Sequence, residues 1–350
     1  MTEKEPTAEE WGRLYAAAGR VRKIAPWEWM LEDEVFGVRN PERDEIGFVS
    51  VMGAAEEHFG VALYQGAAAL YDFLALREAG RDGRPDGIEA ERLLEIPQLQ
   101  ASFEDRGHLQ KEDRDVIKKL DLKFRGAHNW PMFRNYAPGM FPWFLTSSEA
   151  RFLAIALEQL LDVAPRFRDD EDILSGKGRD DFLVRVPRAD KARLVWEDKI
   201  MRVPEPEEEK TTPAPLDPQL LESLKQLPEV TNVIQIELTM LMLPVREKKD
   251  RPFFPYLLML VEANSGAILG NDMLQPMPSL DAMRAEFPIT VADHLLRLGV
   301  RPLKIAVRSA MTAQSLAPLA EPLGIRIKQS PKLPALDAAL RFFLDRMSPF

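Results

Sequence analysis

Hydrophobic and polar positions divide the chain into two regions with different orders of predicted elements. In the first region, capping-box sequences at Thr7–Glu10 and Thr146–Glu149 each precede apolar residues at helical spacing, so both predict helix starts. Further helices are predicted at 66–79 and 111–120, and β-strands at 35–38, 46–51, 59–64, 182–186 and 193–200. This mixture predicts an α+β domain with an antiparallel sheet.

The second region has a more regular order of elements. Three consecutive strands are followed by a helix, a strand, a helix, a strand and a final helix. The predicted strands are 233–243, 256–263, 267–273, 303–307 and 325–328, and the predicted helices are 280–298, 312–323 and 336–347. Because proline removes a backbone donor, we expect Pro288 to interrupt the first of these helices. The region is predicted to be an α/β domain with a mixed sheet.

An acidic, proline-rich segment separates the two regions. Residues 204–217 have no apolar periodicity, their prolines favour an extended chain, and their glutamates repel one another. We therefore predict a first domain at 1–203, a linker at 204–217 and a second domain at 218–350.

The order of elements in the second domain resembles that of ribonuclease H-like domains, a group that includes transposase and integrase cores. The resemblance implies divalent metals held by carboxylates on the first strand, near the end of the fourth strand and on a later helix. Glu237 and Asp337 occupy the first and last of these positions, but the fourth strand ends in Arg308. We therefore expect a catalytically inactive relative without a cofactor. The alternative is a Mg²⁺- or Mn²⁺-dependent nuclease that recruits a third acid, Asp272 or Glu262.

The first domain concentrates aromatic residues between Phe124 and Leu145, a stretch whose three prolines predict irregular structure. Large aromatic side chains must be either buried against the core or presented to a ligand. If they are presented, aromatic and polar side chains together form a binding surface. The candidate ligand-binding residues are Arg125, His128, Trp130, Phe133, Arg134, Tyr136 and Trp143.

The composition of the chain excludes several kinds of functional site. The chain contains no cysteine, which excludes disulfides, thiolate metal sites and a cysteine nucleophile, and its four histidines show no metal-binding spacing. The net charge of −10 is carried by the first region, whereas the second is close to balanced and could tolerate nucleic acid. No apolar stretch is long enough to span a membrane and the first ten residues do not resemble a secretory signal, so we expect a soluble, cytoplasmic protein.

Four short strings extend over much of the chain and resemble an uncharacterised bacterial two-domain family. They are Val35-Phe36-Gly37-Val38, Ser50-Val51-Met52-Gly53, Phe103-Glu104-Asp105-Arg106, and Phe124-Arg125-Gly126 with Trp130-Pro131. The resemblance supports the two-domain interpretation and implies no functional residue.

The pattern as a whole favours a non-enzymatic binding or interaction protein with a protein or peptide partner. The metal-dependent nuclease is the alternative. A hydrolase centred on His108 or His128 is a third hypothesis, since an adjacent Asp105 could orient an imidazole.

Overall fold

A computed structural model describes residues 4–81, 88–174, 176, 178–190, 193–206, 214–246 and 250–347. The chain forms two compact units, the first comprising 1–137 and 142–207, and the second comprising 138–141 and 208–350. The change of unit at 207/208 falls inside the predicted linker, of which residues 207–213 lie outside the described part of the chain.

The first unit is built on a seven-stranded sheet. Its strands are β1 (Phe36–Arg39), β2 (Ile46–Met52), β3 (Gly60–Gln65), β4 (Gln98–Glu104), β5 (Trp130–Tyr136), β6 (Asp181–Asp190) and β7 (Arg193–Arg202). Its helices are α1 (Ala8–Ile24), α2 (Gly66–Arg81), α3 (Ile88–Glu95), α4 (Lys111–Lys119) and α5 (Ser147–Asp169). The strand order is β5-β4-β3-β2-β1-β6-β7, and neighbours are antiparallel except for the parallel pair β1 and β6. The predicted α+β class with an antiparallel sheet is confirmed.

Both faces of this sheet are covered near its centre. On one face, α1 and α5 pack side chains such as Leu14 and Leu153 against Val51. On the other, α2 contributes Leu70 and Phe73, and the Phe73 ring stacks on that of Tyr64 with their centroids 4.3 Å apart. Both predicted capping boxes are present at the starts of α1 and α5.

The prediction of irregular structure through the aromatic segment is wrong at its centre, where β5 forms. The strand pairs with β4 from Gln98↔Tyr136 to Glu104↔Trp130. Pro131 is compatible with a strand here because β5 is the last strand of the sheet, so one edge needs no donor.

The second unit has a five-stranded mixed sheet. Its strands are β8 (Glu229–Met240), β9 (Tyr256–Glu262), β10 (Ile268–Leu274), β11 (Arg301–Val307) and β12 (Arg326–Gln329). Its helices are α6 (Pro218–Lys225), α7 (Leu280–Leu298), α8 (Ala310–Ala320) and α9 (Pro334–Met347). The order is β10-β9-β8-β11-β12, in which β8, β9 and β10 are antiparallel and β8, β11 and β12 are parallel. Helices α6, α7 and α8 share a core with one face, and α9 packs on the other.

The predicted order of elements in this unit is confirmed, and α6 precedes it. The expected break at Pro288 is wrong, because α7 continues through that residue. Phe287, Val291 and Leu295 lie on one side of α7 and are buried in the core, so packing offsets the backbone donor that proline lacks. The assignment to the ribonuclease H-like group stays a prediction.

Residues 138–141 belong to the second unit although the sequence on either side belongs to the first. Phe141 donates its amide to the Pro252 carbonyl at 2.9 Å and accepts from the Arg251 guanidinium at 2.9 Å. The Phe254 amide donates to the Gly139 carbonyl at 2.9 Å, and the Phe141 and Phe254 rings lie 5.7 Å apart. A segment far away in sequence is thus part of this unit. Among the described residues, none of the helices is both long and apolar enough to pass through a membrane.

Glu10 connects the starts of α1 and α5 and gives the first unit a defined response to acid. Its carboxylate accepts from the Ser147 hydroxyl at 2.7 Å and from Arg151 at 2.5 Å, and it caps the Thr7 amide at 2.7 Å. Burial raises the pKa of Glu10, but the Thr7 amide, Ser147 and Arg151 outweigh burial and lower the pKa from 4.5 to about 2.

Because this pKa is lowered by folding, Glu10 stabilises the fold above pH 4.5, and that stabilisation is lost as the pH falls towards 2. We expect Glu10→Gln to be less stable than wild type at pH 7 and to lose less stability than wild type between pH 4.5 and pH 2.5. Urea unfolding followed by tryptophan fluorescence measures this, since all six tryptophans precede residue 204. Exposed Glu9 on the same helix provides the control, Glu9→Gln, and equal acid dependence in all three proteins would contradict the prediction.

Candidate functional site

Three charged residues of the second unit meet where the sequence analysis placed a carboxylate site. Glu237 lies on the central strand β8, Arg308 follows the neighbouring strand β11, and Asp337 is in the first turn of α9. The Arg308 guanidinium lies 2.5 Å from the Asp337 carboxylate and 3.5 Å from that of Glu237. Arg308 also donates to the Pro331 carbonyl at 2.8 Å. The structure therefore brings both predicted carboxylates together, but on a shared cation.

Glu237 is the most constrained member of this cluster. The residue is 9% exposed, and its Oε1 accepts from the Thr312 hydroxyl at 3.4 Å, while Oε2 has no hydrogen-bond partner within the described chain. Burial raises the pKa of Glu237, and the positive charge of Arg308 opposes that effect without cancelling it. Arg308 thus provides the main electrostatic compensation for a carboxylate in an unfavourable environment.

The two acids considered as a third metal ligand have other partners. Asp272 lies 2.7 Å from Nε2 of His294, and Glu262 accepts the amides of Asn264 and Ser265 at 3.2 and 2.6 Å. Across the described ranges, no three histidine, aspartate or glutamate side chains are arranged to hold a metal ion.

Two of the candidate ligand-binding residues in the first unit are part of its interior. The Phe133 ring is buried beside that of Tyr15, with centroids 4.9 Å apart. Arg134 is 4% exposed and forms a two-pronged ion pair with Asp113 on α4, with N–O distances of 2.8 and 2.6 Å. The guanidinium also lies 4.7 Å from the centre of the Phe144 ring. These contacts attach β5 to the core.

The other aromatic candidates are half-buried. Trp130, Tyr136 and Trp143 are each only partly accessible, and burial raises the pKa of the Tyr136 hydroxyl to about 12. Trp143 extends the sheet by exchanging backbone hydrogen bonds with Asn135 at 2.8 and 2.9 Å. Trp130 lies 5.8 Å from the Arg106 guanidinium. None of these rings has the exposure expected for an open aromatic groove.

Three histidines gather near the end of β4, a grouping that the sequence analysis missed. Nδ1 of His108 lies 3.2 Å and Nδ1 of His58 lies 3.8 Å from the Glu104 carboxylate. The His128 amide donates to Asp105 at 2.9 Å, and its carbonyl accepts from Arg22 at 2.8 Å. His108 thus has a carboxylate partner as the hydrolase hypothesis requires, but that partner is Glu104 and not Asp105. Arg125, the remaining candidate ligand-binding residue, lies three positions before His128 and is exposed.

These features define a two-domain α/β protein with a mostly antiparallel first sheet and an arginine-centred carboxylate cluster on the second. The chain belongs to the family described as "Domain of unknown function (DUF7309)", whose model matches residues 11–185. Residues 220–344 match a second family model, "Domain of unknown function (DUF6930)". The predicted relationship to an uncharacterised two-domain family is confirmed. No curated protein matches the chain.

Proposed function

We propose that this protein is a non-enzymatic binding protein whose second domain is a catalytically inactive ribonuclease H-like domain. One observation carries the proposal: the Arg308 guanidinium contacts both Glu237 and Asp337. An arginine stays protonated at any physiological pH, so this cation is permanent. It stands among the carboxylates where a metal-dependent nuclease would need divalent ions.

The magnitude of the electrostatic effect supports this assignment. Two unit charges 4 Å apart interact with about 4 kcal/mol at an effective dielectric constant of about 20, and a divalent ion doubles that value. Arg308 therefore repels a metal ion at this place while neutralising one of the two negative charges that would attract it. Two-metal catalysis depends on the opposite balance.

An exposed apolar stretch after β8 supports a protein or peptide as the partner. Met242, Leu243 and Val245 are between 42 and 49% exposed, whereas Ile234 and Ile236 on β8 are buried in the core. Exposed apolar clusters mark interaction surfaces, and methionine adapts to partners of different shape. Nucleic-acid contact through the second domain and a cytoplasmic location stay predictions from the sequence.

The proposal is tested by titrating the full-length chain with Mn²⁺ in a calorimeter. We expect no saturable heat above that of dilution, because the guanidinium occupies the space between the carboxylates. Saturable binding that Glu237→Ala abolishes would overturn the proposal and favour the nuclease alternative.

Replacing Arg308 tests its role directly. We expect Arg308→Gln to acquire saturable Mn²⁺ binding, because Glu237 and Asp337 then meet without a cation between them. Arg346→Gln is the matched control, since Arg346 is exposed in the last turn of α9, lies over the Phe342 ring and carries the same charge. Identical titrations for Arg308→Gln and wild type would show that the guanidinium does not exclude the metal.

A further inference from the structure

The strand β7 forms one edge of the seven-stranded sheet of the first unit. Its ten residues pair with β6 from Asp181↔Arg202 to Asp190↔Arg193, and it is the last strand of the sheet. On its opposite edge no strand pairs with it within the described part of the chain. Apolar side chains are exposed along it, with Leu194 at 53%, Val195 at 38% and Ile200 at 51%. An edge of this kind can template the addition of another strand.

Geometry restricts how two copies of β7 could pair with each other. In an antiparallel pair, directly opposed residues either both point their backbone groups at the partner or both point them away. Because successive residues alternate in this respect, a residue can face only itself or a residue an even number of positions away. The two-fold axis must therefore pass through a residue, and the registers that pair most of β7 are centred on residue 197, 198 or 199.

Side-chain chemistry distinguishes these three registers. Centring on 197 places Glu197 against its own copy, and centring on 199 places Lys199 against its own copy. Centring on 198 places Asp198 against its own copy, but it also places Glu197 opposite Lys199 twice, Trp196 opposite Ile200 twice and Val195 opposite Met201 twice. Opposite charges and apolar pairs directly across a sheet are the stabilising combinations, whereas like charges are destabilising.

The central residue of that register is already compensated. The Asp198 carboxylate accepts from Arg166 at 2.7 Å and forms a second ion pair with Arg185, so two guanidinium groups offset the repulsion between two copies. Glu197 uses one oxygen to contact Arg188 at 2.6 Å, leaving the other for a partner. Lys199 is exposed and has no acidic partner among the described residues. The edge therefore offers one unsatisfied cation and one available carboxylate oxygen, two positions apart.

We propose that β7 pairs antiparallel with β7 of a second copy of this chain, with the two-fold axis at Asp198. Two seven-stranded sheets would thereby become continuous. Exposed lysine can also protect an edge against pairing, and in that case the chain is a monomer. The state of the wild-type chain distinguishes the two functions of Lys199, a dimer if the lysine pairs with Glu197 and a monomer if it protects the edge.

Sedimentation equilibrium of the full-length chain, 39.8 kDa, measures the dimer dissociation constant. We expect wild type to dimerise, and Glu197→Lys and Lys199→Glu each to raise the dissociation constant at least about tenfold, since each puts like charges opposite each other twice. The double variant, Glu197→Lys with Lys199→Glu, restores complementary pairs and is expected to return within about threefold of wild type. Arg188→Gln, which removes only the contact within one copy, is the control and keeps the dimer.

The register is tested by cysteine pairing, because the chain has no cysteine of its own. Val195→Cys and Met201→Cys, mixed and oxidised, are expected to form a disulfide between the two variants, since opposed residues in a sheet bring their Cα atoms to about 5 Å. Either variant alone is expected to give little disulfide. A monomer at all concentrations, or a dimer whose dissociation constant none of the charge reversals changes, would overturn the proposal.

Discussion

Asp113→Ala is expected to lower the free energy of unfolding of the first unit by about 3 to 5 kcal/mol, the usual cost of breaking a buried ion pair from one side. The reason is the Arg134 guanidinium, which is 4% exposed and would lose both of its carboxylate contacts. A charge left without a partner in the interior retains its full desolvation penalty. Urea unfolding followed by tryptophan fluorescence measures the change.

Two control variants separate the buried charge from other causes. Asp115 is exposed on the same helix, so Asp115→Ala is expected to change stability by less than about 0.5 kcal/mol. Replacing both partners, Asp113→Leu with Arg134→Met, is expected to recover the part of the loss due to the buried charge, and to leave the loss of the cap that Asp113 provides to the Gln110 amide at 2.9 Å. A loss below about 1 kcal/mol for Asp113→Ala would show that water reaches Arg134.

Gly270→Ala is the second substitution with a large expected effect, a loss of about 1 to 3 kcal/mol in the second unit by overpacking. A Cβ atom at this position would lie 2.4 Å from Nδ1 of His294, closer than van der Waals contact allows. The imidazole cannot easily move away from this Cβ atom, because His294 is 5% exposed and its Nε2 lies 2.7 Å from the Asp272 carboxylate. Thermal unfolding followed by circular dichroism detects the loss.

The same substitution in a His294→Ala background tests the cause. If the imidazole is what the added methyl group meets, the two substitutions are strongly non-additive and Gly270→Ala costs little once the ring is gone. Additive losses would place the problem in the backbone of β10, whose register shifts between Ile268 and Gly270.

The strengths and failures of the sequence prediction have physical causes. The helices α1 and α5 were predictable because the capping boxes and apolar faces agree. The strand β4 was missed although residues 98–104 alternate polar and apolar side chains; it is buried on both faces, with Gln98, Gln100 and Ser102 inside. Gln100 donates to Gln98 at 2.9 Å, so polar positions that the alternation would place in solvent lie in the interior and satisfy each other. Its partner β5 was missed with it.

The candidate sites likewise divide into residues that the sequence could identify and contacts that it could not. Glu237, Arg308 and Asp337 could be named from the resemblance of the element order to ribonuclease H-like domains, which implies ligands at these places on the predicted strands and helix. That the arginine contacts both acids depends on side-chain geometry, which no spacing encodes. The histidines around Glu104 were not found, because β4, which ends at Glu104, was missed and His58 comes from a distant part of the sequence.

The four residues 138–141 limit how this protein can be divided. A fragment starting at Pro218 follows the apparent boundary in the sequence, yet it lacks Phe141 and leaves the Phe254 ring and amide without partners that they have in the complete unit. Such a fragment is a truncated form of the second unit. For the same reason, exchange of coding sequence at the linker would transfer the second unit without residues 138–141.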